Sequence, residues 1–219
     1  MEPTVIPEDW PLAEQLRSVA FTALGRLELD RQLQGLTLVA DDLAADDHAW
    51  WRLEDQADGR HLTLWFHPDH VLQDRPGRGA ARRSELDWQL APVPAAESDL
   101  TPEEFSAPNA QRFLYQQLLL VQDVVLGRLD PGTVPLSLVE AFQEAWLVTV
   151  DGRLKREGLP HLSEAERRLR FLRRFAPAGV VTPGHWGIFN GLWRGELSGQ
   201  PEVLARVKLL PPLARRRRA

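Results

Sequence analysis

Three groups of side chains in this sequence are of the right types and spacing to do chemistry. The first is His67-Pro68-Asp69-His70, two imidazoles and a carboxylate on a segment that one turn can gather. Imidazole and carboxylate are zinc ligands, and bound zinc activates water, so His67, Asp69 and His70 mark a candidate metal-dependent hydrolase site. Zinc would need a further ligand, for which the sequence singles out no donor. His61 cannot supply it from the same strand, since six extended residues span roughly 20 Å. The second group is a polar seam in an otherwise apolar helix. Gln116, Leu120 and Asp123 fall at i, i+4 and i+7, with Gln117 beside them. A buried amide or carboxylate is costly unless hydrogen-bonded, so the seam demands partners. The third group is Glu140, Glu144 and Asp151, near one helical face. Paired carboxylates can move a proton or hold a cation; here Arg167, Arg168, Arg170, Arg173 and Arg174 offer them intramolecular partners.

Many standard motifs are missing. There is no phosphate-binding P-loop, no nucleophile-elbow serine and no calcium-binding EF-hand loop, and Gly77-Arg78-Gly79 lacks the third glycine of a dinucleotide turn. The absence of cysteine removes disulfides, thiolate ligands and thiol nucleophiles together. No cofactor is expected.

The elements that position these residues follow from periodicity. Leu12, Leu16, Val19, Ala20, Ala23 and Leu27 predict a helix from Pro11 to about Glu28. Short β-like runs follow at 36–39, 49–53 and 62–66. Asp58-Gly59 predicts an antiparallel hairpin between segments 49–54 and 61–66. The pattern dissolves over 72–108, read as a long irregular excursion that includes a capping box at Thr101-Pro102-Glu103-Glu104. The most apolar helix runs from about Asn109 to Leu126. A second starts near Pro135 with a stripe of Val139, Phe142, Trp146 and Val150. A third starts at the capping box Ser163-Glu164-Ala165-Glu166 and buries Leu169, Leu172 and Phe175. A fourth follows Thr182-Pro183-Gly184, and a last short one follows Pro201. Strands cluster early and helices late, which predicts one α+β domain over 1–219: helix, small antiparallel sheet of about three strands, buried central helix, then a helical C-terminal half.

In that arrangement residues 11–150 resemble a degenerate zincin-like metallopeptidase of the gluzincin type. Such enzymes carry His-Glu-x-x-His on a helix packed against a sheet, with a third ligand, a glutamate, on a following helix. Gln116-Gln117-Leu118-Leu119-Leu120 stands in the place of that motif, and Glu140, with Glu144 nearby, lies 24 positions after Gln116. The resemblance implies a scaffold whose site has been lost. Glutamine is a poor zinc ligand, leucine is none, and the Gln117 amide cannot act as a base. A non-catalytic protein that binds no metal there is expected.

Charge points to partners. Residues 1–150 hold 11 basic and 25 acidic side chains, whereas residues 151–219 hold 15 and 6, and Arg215, Arg216, Arg217 and Arg218 form a basic tail within 211–219. That asymmetry suits nucleic acid at the basic end, or neutralisation within the fold or across a homo-oligomer. Arg75, Arg78, Arg82 and Arg83 add basic charge to the excursion. No apolar run is long enough to span a bilayer, so no membrane partner is expected. The acidic, proline-bearing Met1-Glu2-Pro3-Thr4 is unlike a signal peptide, so a cytoplasmic location is expected.

Overall fold

The computed structural model describes residues 1–41, 49–73, 104–176 and 179–210. The basic tail, the arginines of the excursion, residues 74–103 of that excursion, most of its capping box and His48 lie outside these residues. The fold is α+β: a four-stranded sheet, then a helical C-terminal half.

The sheet runs in the order β1 (Thr4–Ile6), β2 (Gly35–Ala40), β4 (Gly59–Phe66), β3 (Trp50–Gln56). It is mixed, which corrects the expected antiparallel sheet. β1 and β4 both pair parallel with β2, and only β3 is antiparallel. The parallel pair β1–β2 is joined by α1 (Ala13–Arg26), the crossover that parallel neighbours require. β1 escapes a periodicity reading because three residues carry almost no alternation.

The hairpin is present as the sequence predicts. Trp50 faces Trp65 at one end of the β3–β4 ladder and Gln56 faces Gly59 at the other. The two-residue loop is therefore Ala57-Asp58. Gly59 follows it at φ 131°, a value that side chains with a Cβ rarely adopt. Leu36, Leu38, Leu62, Leu64 and Phe66 alternate onto the buried face of the sheet. Trp50 and Trp65 stand on the opposite face, their rings stacked 3.7 Å apart.

α2 (Ala107–Val125) is the apolar helix, and eleven of its residues are buried. Its start precedes the expected Asn109, because Ser106 is the cap and its hydroxyl accepts from the Asn109 amide at 3.3 Å. Helix therefore takes the last residues of the 72–108 stretch. The two ends of that stretch are tied together: Gln73 N donates to Glu104 O at 3.0 Å, and Ser106 N to Val71 O at 2.8 Å. α2 packs on α1 and meets the sheet where Phe113 approaches Phe66, ring centres 5.5 Å apart.

α3 (Val139–Arg156) is the axis of the helical half. α4 (Glu164–Phe175), α5 (Pro183–Arg194) and α6 (Gln200–Val207) pack around it, with α2 alongside. Phe142, Trp146 and Val150 are core as expected, but Val139 is 38% exposed. On α4 the phase also differs. Phe175 is buried as expected, whereas Leu169 is 52% exposed and Phe171 takes the core position. Buried apolar side chains of sheet and helices form one contiguous cluster. No helix among the described residues is long and apolar enough to cross a membrane.

Candidate functional site

Among the described residues, a cleft of about 650 Å³ opens between α2, α3, α4 and the turn that follows β4. Gln116 and Gln117 enter it from α2, Glu144 from α3, and Asp69 and His70 from the turn. Arg112 of α2 and Arg170, Arg173 and Arg174 of α4 line it too. Three of the sequence groups thus contribute to one recess.

Arg167 organises the structure beneath the cleft. It projects from α4 into the protein and is wholly buried, an extreme position for a guanidinium. Its Nε donates to Asp151 Oδ2 at 2.6 Å and its Nη1 to Glu144 Oε1 at 3.1 Å. Asp151 also accepts from Gln116 Nε2 at 2.9 Å and from Leu162 N at 3.2 Å. One cation therefore serves two carboxylates, Asp151 fully buried and Glu144 partly so. Burial holds both Asp151 and Glu144 above the usual carboxylate range, and Arg167 opposes that rise without cancelling it. The expected pairing of the carboxylate face with α4 arginines is what the fold builds. It extends to Glu140, whose largely exposed carboxylate meets Arg174.

Asp123, further along α2, is also satisfied. Asp123 is fully buried and accepts from Trp146 Nε1 at 3.0 Å and from Arg153 Nη1 at 2.6 Å. Leu120 is buried one turn from Gln116. Arg153 gave no signal in the sequence, because its partner is 30 residues away and the pairing depends on how α2 lies on α3.

His67, Asp69 and His70 sit on a single 3-10 turn, Pro68–His70, capped by His67. His67 Nδ1 accepts the Asp69 amide proton at 3.2 Å, while the His70 ring lies flat on Phe113, 4.7 Å between centres. Among the described residues no three histidine, aspartate or glutamate side chains are grouped to hold a metal ion. His185 is buried and engaged on both nitrogens: Nδ1 takes the Thr182 amide proton at 3.1 Å and Nε2 donates to Phe175 O at 3.0 Å. A smaller recess of about 480 Å³ beside it, between α5 and α6, is lined mostly by apolar groups. The polar cleft is therefore the candidate site.

Sequence reasoning named Gln116, Gln117, Leu120, Glu140 and Glu144; Gln116, Gln117 and Glu144 line the cleft, whereas Leu120 and Glu140 do not. It missed Arg112, Arg170 and Arg173 as cleft residues. The i, i+3, i+4 spacing of Arg170, Arg173 and Arg174 was the available signal, since it places them on one face of α4. No protein-family model, curated protein or solved structure matches this chain.

Proposed function

We propose that this chain is a non-catalytic binding protein on a zincin-like scaffold whose metal and base positions have been replaced. The observation that carries this reading is the bond from Gln116 Nε2 to Asp151 Oδ2 at 2.9 Å. The side chain in the place of the first motif histidine is used to stabilise a buried carboxylate. Gln117, in the place of the general base, is an amide with no proton to exchange at a useful pKa. Gln116 and Gln117 line one cleft on a helix that packs against the sheet, as a lost site would leave them, whereas Glu140, in the place of the third ligand, lies outside the cleft lining and meets Arg174.

Restoration tests the reading. The triple variant Gln116→His, Gln117→Glu, Leu120→His is expected to take up one zinc per chain, while the parent protein shows no peptidase activity. A triple variant that folds by circular dichroism yet binds no zinc removes the zincin kinship. Peptidase activity in the parent protein removes the non-catalytic assignment.

A second reading rests on Arg215 to Arg218, four adjacent cations in a chain whose first 150 residues are strongly acidic. If the tail binds nucleic acid, its deletion weakens binding and flattens the dependence on salt, because fewer counterions are released. An unchanged salt slope on deletion counts against it.

A further inference from the structure

We propose that the cleft between α2, α3 and α4 is a binding site for a small polyanion bearing carboxylate or phosphate groups, held by Arg112, the α4 arginines and Gln117. The proposal goes beyond the reading above, since it needs neither a metal nor kinship with zincins.

The cations are disposed to act on something other than each other. Arg170 and Arg173 line the cleft and form no ion pair among the described residues, although the charge of Arg170 also acts on Glu144 and Glu166. Arg174 meets Glu140 through Nη2, but its enclosed Nε has no hydrogen-bond partner. Arg112 is steadied by the Asn109 side chain and lies 3.6 Å from Glu166 of α4. That glutamate is already occupied as the reciprocal partner of the α4 cap. Its Oε2 accepts from Ser163 N at 3.0 Å and Ser163 Oγ at 2.6 Å. Guanidinium planes on two helices suit a ligand with more than one oxyanion group, because each can bind one group bidentately.

Gln117 supplies an independent indication. It is only 8% exposed, it lines the cleft, and its amide makes no side-chain hydrogen bond among the described residues. Its amide is thus free to donate to a ligand, and a donor beside the cleft arginines fits an oxyanion. By contrast its neighbour Gln116 is spoken for by Asp151. Glu144 also borders the cleft, but its carboxylate is engaged by Arg167 Nη1 at 3.1 Å. The volume, about 650 Å³, lies within the range of small-molecule sites and exceeds what a lone inorganic ion fills.

The test is calorimetric titration of the full chain with citrate and, separately, with pyrophosphate. Two variants accompany it: Arg170→Gln/Arg173→Gln, and a tail variant with Arg215 to Arg218 all changed to glutamine. At least one polyanion is expected to bind saturably at one per chain. The Arg170→Gln/Arg173→Gln variant is expected to bind at least about tenfold more weakly, the effect of losing charge-assisted hydrogen bonds. The tail variant should bind like the parent. Preference for citrate assigns the site to carboxylates and preference for pyrophosphate assigns it to phosphates; either supports the proposal. Absence of saturable binding by both, full affinity in the Arg170→Gln/Arg173→Gln variant, or loss of binding in the tail variant overturns it.

Discussion

Arg167 Nε donates to Asp151 Oδ2 at 2.6 Å, and both side chains are shut off from solvent. This pair joins α4 to α3, and it fixes Gln116 and Glu144 through the same groups. It also sets the electrostatics of the cleft above it, because two carboxylates share one guanidinium.

Removing that guanidinium is expected to be severe. Arg167→Met strands the fully buried Asp151 without its guanidinium, a loss of roughly 3–5 kcal/mol of stability for breaking a buried pair on one side. Urea denaturation measures it. Adding Asp151→Leu to Arg167→Met is expected to recover a large part of the loss, since the penalty comes from the stranded charge. A single variant as stable as the parent would mean that the pair contributes nothing.

The pH dependence has a definite sign. Burial raises Glu144 and Asp151 in the folded protein, with Arg167 opposing in both, Arg170 also facing Glu144, and His161 and the Leu162 amide facing Asp151. A carboxyl raised on folding binds its proton more tightly in the native state than in the unfolded chain. Its stabilising contribution is therefore complete below the usual carboxylate range, about pH 4, and is lost as pH rises through the raised folded values. Glu144→Gln cannot titrate. The stability of the parent relative to Glu144→Gln is expected to fall as pH is raised from 4 towards neutrality. A flat difference would show that Glu144 ionises as it does when unfolded.

Asp123 offers a second buried charge, on the far end of α2. Asp123→Ala strands Arg153 and the Trp146 indole together, and is expected to cost about 3–5 kcal/mol, whereas Asp123→Asn retains a hydrogen-bond acceptor and is expected to cost less. Thermal or urea unfolding of the two variants checks the order; equal losses would assign the effect to shape alone.

Gly152 separates local preference from packing. Alanine is favoured over glycine in a helix interior by about 1 kcal/mol, so an isolated α3 would gain from Gly152→Ala. In the fold a Cβ at 152 would collide with the Trp193 backbone carbonyl of α5, which also accepts from Arg156 Nη1 at 2.7 Å. Gly152→Ala is therefore expected to destabilise by about 1–3 kcal/mol, the usual range for overpacking. A raised unfolding midpoint would contradict the close crossing of α3 and α5.

The elements legible in the chain were those whose signals are local. Ser163 and Glu166 lie three residues apart and make the reciprocal cap wherever α4 sits. Asp58-Gly59 and the flanking alternation mark the β3–β4 hairpin from local sequence, although Gly59 closes the ladder and the loop itself is Ala57-Asp58. The apolar span of α2 announced burial on most sides, and its polar seam announced that partners must exist.

Which partners they are was decided by tertiary packing. Thr4–Ile6 is a strand only because β2 lies beside it, and β2 and β4 are parallel only because β3 occupies the outer edge. Leu169 and Phe171 are both apolar, and the rotation of α4 that drives Arg167 onto Asp151 puts Phe171 inside and Leu169 outside. Arg112 and Arg170 are 58 positions apart, so no spacing rule could bring them to one cleft. Caps and hairpins depend on bonds between near neighbours, which short segments of sequence encode. The cleft depends on the relative rotation of three helices, which is set by the packing of the whole core.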